Sequence, residues 1–174
     1  ALQIENDNTF YVFSRKKCLL KEAGLIQKQG KKVLIKGGPF LNTAGFLLGK
    51  WIGRSLEICS VDGAESVQIK ISGTYENTLD LCFYLTIFQN GILETAYEVQ
   101  KLFRHMPHRV KAEIGISSGG LGEKGGAYYV TEPDRIRIVS QGCKVRLEPA
   151  SELTEGAIVD NLDPRINYVG NWIK

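Results

Sequence analysis

Histidine is nearly missing from this chain: of 174 residues only two, His105 and His108, carry an imidazole. They lie three apart in Arg104-His105-Met106-Pro107-His108-Arg109. Pro107 breaks any helix there, so the pair cannot share a helical face as metal ligands, and the flanking arginines oppose a cation. No metal site is expected. The four cysteines, Cys18, Cys59, Cys82 and Cys143, form no C-x-x-C, which excludes a zinc knuckle and a thioredoxin-type motif. Cys59 and Cys82 sit inside apolar strand patterns and read as buried free thiols; an even number alone does not establish a disulfide. There is no Gly-x-Ser-x-Gly elbow, and no Ser, His and Asp set stands out. The glycine-rich run 117–126 lacks Gly-Lys-Ser/Thr and a following helix, so it is no phosphate loop. No cofactor is expected. No apolar run reaches the roughly 18 residues of a membrane helix; the longest, Leu81 to Phe88, is broken by Thr86. Ala1-Leu2-Gln3-Ile4-Glu5 is no signal peptide, and the start at Ala1 rather than Met reads as a processed or excised piece. A net charge of +3, from 22 basic and 19 acidic residues, is too weak for a nucleic-acid surface. Neither a membrane nor a nucleic acid is an expected partner.

What is present is an ordinary globular balance, 43% apolar and 24% charged, in a chain too short for a (β/α)₈ barrel of about 250 residues. Strand patterns follow one another: Thr9 to Ser14, Lys32 to Lys36 stopped by Gly37-Gly38-Pro39, and Leu56 to Val61. Val67, Ile69 and Ile71 then alternate with Gln68, Lys70 and Ser72, punctuated by Asp62-Gly63 before and Gly73 after. Further strands are expected at Val110 to Ser117, Ala127 to Thr131, Arg135 to Ser140 and Lys144 to Glu148. Helical spacing shows only at Lys16 to Ala23 and Ala44 to Leu48, ended by Gly24 and Gly49. Many short strands with glycine turns predict an all-β, antiparallel two-sheet β-sandwich.

Leu79 to Gln100 carries the most detail. A two-residue Asn90-Gly91 turn would set Ile87 against Glu94 and Phe83 against Glu98. A three-residue loop, Gln89-Asn90-Gly91, sets Ile87 against Leu93, Leu85 against Thr95, Phe83 against Tyr97 and Leu81 against Val99. A one-residue slip flips every side chain, so the register that makes one face wholly apolar is predicted. Gly91 then takes the left-handed position of a type I turn with a G1 bulge.

Glycosidic cleavage needs two carboxyl groups about 5–9.5 Å apart, and no spacing among the acids picks out a pair. Glu132 and Asp134, beside Arg135, read as a strand-end salt bridge or a solvated turn; no catalytic residue is assigned. Sugar binding combines an aromatic platform with hydrogen-bonding groups. The candidates are Trp51 with Arg54, Tyr128 and Tyr129 with Glu132, and Trp172 with Asn171. Trp51 reads more readily as core, and in a strand only one of Tyr128 and Tyr129 faces outward.

The order of segments resembles a known family. Phe10-Tyr11-Val12-Phe13-Ser14-Arg15-Lys16, a connecting strand pair, Gly30-Lys31-Lys32-Val33-Leu34 and Gly38-Pro39-Phe40-Leu41-Asn42 run as in the C-terminal β-sandwich of family-two glycoside hydrolases, the β-galactosidase type. Pro107-His108-Arg109-Val110-Lys111-Ala112-Glu113-Ile114-Gly115-Ile116 resembles that family's "lPRiGi" strand. Gly126 to Ile136 is similar to its "W-S-x-Y-P-E-D-H-I-G" segment, with the order altered to Tyr128-Tyr129-Val130-Thr131-Glu132-Pro133. Cys18 stands where the family's first turn commonly has glycine, and the "R-A-P-T-D-N-D" run after Asn42 is absent. Separately, the tail Val159 to Trp172 looks like the opening strand of a carbohydrate-binding β-sandwich module.

The resemblance implies a galactose-mutarotase-like supersandwich at residues 1–148. Residues 149–174 are then a linker and the first strand of a following module, or else a last edge strand. The implied function is a non-catalytic domain of a multidomain glycoside hydrolase. Its partners would be the upstream catalytic barrel of the same chain and a carbohydrate, with the parent protein secreted or periplasmic. Two other readings stand beside it: an autonomous carbohydrate-binding module, and a small mutarotase-like enzyme, for which only His105 and His108 are available.

Overall fold

A computed structural model describes residues 1–40, 48–60, 65–103, 136–141, 144–149 and 159–160. Two stacked sheets make an all-β sandwich. The first has the order β1-β2-β3-β4, built from Leu2–Glu5, Thr9–Ser14, Leu19–Gln27 and Gly30–Ile35. The second has seven strands in the order β11-β9-β10-β8-β7-β6-β5. In chain order these are Trp51–Ser60 (β5), Ser66–Tyr75 (β6), Leu79–Phe88 (β7), Leu93–Leu102 (β8), Ile136–Gln141 (β9), Lys144–Pro149 (β10) and Val159–Asp160 (β11). Every pairing is antiparallel except that of β11 with β9. The expected strands at Val110 to Ser117 and Ala127 to Thr131, and the helical spacing at Ala44 to Leu48, fall outside the described residues or at their edge.

The β7–β8 hairpin has the predicted register, with Ile87 opposite Leu93, Leu85 opposite Thr95, Phe83 opposite Tyr97 and Leu81 opposite Val99. The Gly91 amide donates to the Phe88 carbonyl at 3.0 Å, and the Phe88 amide donates to Ile92 at 2.9 Å, closing the three-residue loop. Gly91 is left-handed, at φ +85°, where glycine meets no Cβ penalty.

Lys16 to Ala23 is not helical. Residues 15–18 form the β2–β3 turn, and β3 follows directly. The three-residue spacing that looks helical comes from a bulge. Phe13 pairs with Leu20 and Val12 with Glu22, so Lys21 is an extra residue, and Leu20 and Ala23 both face inward. A second irregularity lies beside it, where Ala23 pairs with Ile35 and Gly24 with Val33. Cys18 in the turn has φ +46°, a left-handed backbone that glycine would adopt at no cost. Nor does Gly73 end β6. The strand runs on to Tyr75, and the turn comes at Glu76-Asn77-Thr78, with Asn77 at φ +58°.

The core lies between the sheets. Tyr11, Phe13, Leu20, Ala23, Leu34 and Ile35 of the first sheet meet Ile69, Ile71, Phe83, Leu85 and Leu93 of the second. The Tyr11 hydroxyl is buried and donates to the Gly91 carbonyl at 2.9 Å, tying the first sheet to the β7–β8 turn. Burial pushes this phenol's pKa above its usual value.

Candidate functional site

The outer face of the seven-stranded sheet is a polar ladder. Ser55 and Ser72 share a hydrogen bond at 2.7 Å, the Gln68 amide donates to Thr86 at 3.2 Å, and the Tyr84 hydroxyl donates to Glu98 at 2.9 Å. That last bond holds the Tyr84 proton and, with some desolvation, pushes the phenol up to about 12 from 10.0. A raised phenol favours the fold fully below the unfolded pKa, and this contribution is lost as pH rises through about 12. An alkaline titration of ¹³C-labelled tyrosine should show Tyr84 ionising about two units late in the wild type. Glu98→Gln should bring it back toward the ordinary value; an unchanged midpoint would refute the ladder. Cys82 lies on this face, buried, its thiol pKa raised mainly by desolvation. Cys18, Cys59 and Cys82 are free thiols.

Trp51 and Arg54 do not form a joint site. The Trp51 ring packs inward, 5.1 Å from Tyr75 and 5.6 Å from Phe83 between centroids, and its N–H donates to the Lys17 carbonyl at 3.3 Å. It lies over Gly73 so closely that a Cβ there would meet the ring at 2.4 Å. Arg54 is the extra residue of a bulge, since Gly53 pairs with Gly73 and Ser55 with Ser72. It reaches the outer face, 3.1 Å from Asp80 Oδ1, at ion-pair distance but without hydrogen-bond alignment. The other candidates, Tyr128, Tyr129, Glu132 and Trp172, lie outside the described residues.

The structure brings a different set together, at the end of the sandwich where the β1–β2 turn meets the β7–β8 turn. Asn6 is the clamp. Its side-chain carbonyl accepts from the Thr9 amide at 2.6 Å, the Thr9 hydroxyl at 2.9 Å and the Asn8 amide at 3.0 Å, while its NH₂ donates to the Gln89 carbonyl at 3.0 Å. The Gln89 amide donates to the Glu65 carbonyl at 3.0 Å, which brings the start of β6 alongside. Two open clefts flank this clamp. One, about 450 Å³, is lined by Asp7, Asn8, Glu65, Phe88, Gln89 and Asn90. The other, about 330 Å³, shares Glu65, Phe88 and Gln89 and has Ile4, Val67 and Ile87 on its apolar side. Both volumes fall within the roughly 300–1,000 Å³ of small-molecule sites.

Ser66 also lines the smaller cleft, and its hydroxyl is shielded from solvent with no hydrogen-bond partner among the described residues. Glu5, on the same rim, is held by Lys31, whose hydrogen bond lowers its pKa below the usual carboxylate range. No Lys or Arg lines either cleft among the described residues. Nor do three His, Cys, Asp or Glu side chains gather there in an arrangement that would hold a metal ion. A third, narrow cavity of about 30 Å³ beside Tyr11 and Leu147 has room for about one water.

No family model, curated protein or solved structure matches this chain.

Proposed function

We propose that the chain is a non-catalytic β-sandwich domain of a multidomain glycoside hydrolase of the β-galactosidase type, supporting a catalytic barrel and offering a cleft to carbohydrate. The order of segments and the two-sheet architecture support the reading. The observation that carries it is the two-sheet, all-β architecture itself; no Asp or Glu is buried as a whole among the residues whose side chains are described. A glycosidic general acid must stay protonated near neutral pH, and burial in an apolar pocket is the usual way to achieve that. Here Asp80 faces Arg54, Glu98 accepts from Tyr84 and Glu5 is bound by Lys31, while Asp7 and Glu65 stand exposed on turns. Such carboxylates suit hydrogen bonding to hydroxyls better than proton donation.

The test is turnover. The isolated chain, incubated with aryl β-galactosides and β-glucosides, should release no phenol above the buffer rate. Release that disappears in an Asp7→Asn, Glu65→Gln double variant would make the cleft catalytic and overturn the reading.

The clefts also favour a second reading, an autonomous carbohydrate-binding module. On that reading the chain alone retains free sugars on a glycan array, without any barrel attached.

A further inference from the structure

We propose that the cleft between the β1–β2 and β7–β8 turns binds a neutral sugar ring and discriminates against acidic ones. This names a ligand class and residues for the carbohydrate reading above, and rests on it. Four side chains lining the larger cleft, those of Asp7, Asn8, Glu65 and Gln89, have no hydrogen-bond or ion-pair partner among the described residues. Their backbone, in contrast, is tied down: Asn6 joins both turns, and Gln89 is bonded to Glu65. The cleft thus presents unspent hydrogen-bonding groups on a fixed frame, the arrangement in which binding does not first have to order the site.

The chemistry of the four groups specifies the ligand. Two carboxylates accept from hydroxyls, and two amides both donate and accept. Vicinal hydroxyls, which do both, are complementary to such a set. Phe88 lines both clefts and gives an apolar wall for the C–H face of a ring. A charged ligand fits less well. With two carboxylates and no Lys or Arg among the residues lining the larger cleft, a uronate or sulfated sugar would meet uncompensated negative charge. Calcium wants six to eight oxygen ligands, and no three acidic side chains converge here among the described residues.

The experiment is a titration of the 174-residue chain, labelled with ¹⁵N, using methyl β-galactoside, methyl β-glucoside, glucuronate and calcium chloride in parallel. The side-chain amide signals of Asn8 and Gln89 should move with at least one neutral glycoside, in the millimolar range, and not with glucuronate. Asp7→Asn with Glu65→Gln should weaken that binding about tenfold, the scale of one charge-assisted hydrogen bond. Both residues are exposed, so the melting curve should not move; Asn8→Ala provides a second, uncharged variant.

Glycoside binding that both variants leave unchanged would overturn this site while leaving the carbohydrate reading intact. Equal or better binding of glucuronate, or a response to calcium alone, would overturn the ligand class. Silence with all four probes would overturn the site, while the binding-module reading would still be decided by the glycan array.

Discussion

Phe83→Ala should destabilise the protein by about 3–5 kcal/mol, the usual range for deleting a buried aromatic ring. Phe83 is fully buried at the middle of β7, between Ile71 on β6 and Tyr97 on β8, with Trp51 against its ring. Ile71 is paired with strands on both sides and Tyr97 with β7, so these neighbours are poorly placed to collapse into the space the ring leaves. Against a typical total of about 5–15 kcal/mol, the loss takes a large share of the stability. Urea unfolding monitored by tryptophan fluorescence would read it as a drop in midpoint at unchanged slope. A change below about 1 kcal/mol would mean that Phe83 is not buried between two sheets.

Gly24→Ala should also destabilise the protein, for the opposite reason. A Cβ at Gly24 would stand 1.9 Å from the Lys32 carbonyl oxygen and 2.9 Å from the Val33 Cα, both backbone atoms of the paired strand. No side-chain rotation relieves that contact, so β3 and β4 must separate at the irregularity where Gly24 pairs with Val33. Overpacking of this kind costs about 1–3 kcal/mol and occasionally more. For a chain of this size each kcal/mol lowers the melting temperature by roughly 2–4 °C. A differential scanning calorimetry trace showing the variant melting with the wild type would refute the pairing of β3 with β4.

The hairpin was legible because its information is local. Alternation along β7 and β8 admits only one register that puts Phe83, Leu85 and Ile87 on an apolar face, and Gly91 supplies the turn that register requires. The β2–β3 region misleads for an equally local reason. A bulge at Lys21 brings Leu20 and Ala23 to the same face three residues apart, and three-residue spacing imitates a helix. Gly73 misleads as punctuation because it serves packing instead, making room for the Trp51 ring. That ring reads from sequence as core more readily than as a sugar platform, and the tertiary structure sets it against Tyr75 and Phe83.

The cleft was not legible. Asn6-Asp7-Asn8 and Gln89-Asn90 are turn sequences about eighty residues apart, and nothing in either announces the other. Only the stacking of one sheet on the other brings them together, through Asn6. An Asn whose side chain could reach a second turn was the sole signal, and that signal depends on a contact that sequence spacing does not encode.

Both the shared core and the cleft depend on the two sheets facing each other at this end, and the Tyr11 hydroxyl on the Gly91 carbonyl at 2.9 Å is the contact that reports it. A ¹³C-edited nuclear Overhauser experiment on the labelled chain measures it directly. Cross-peaks from the Tyr11 ring to the Gly91 α-protons and to the Leu93 methyls are the predicted result. Their absence, in a sample whose β7–β8 cross-strand peaks between Phe83 and Tyr97 are intact, would contradict the sandwich and, with it, the site.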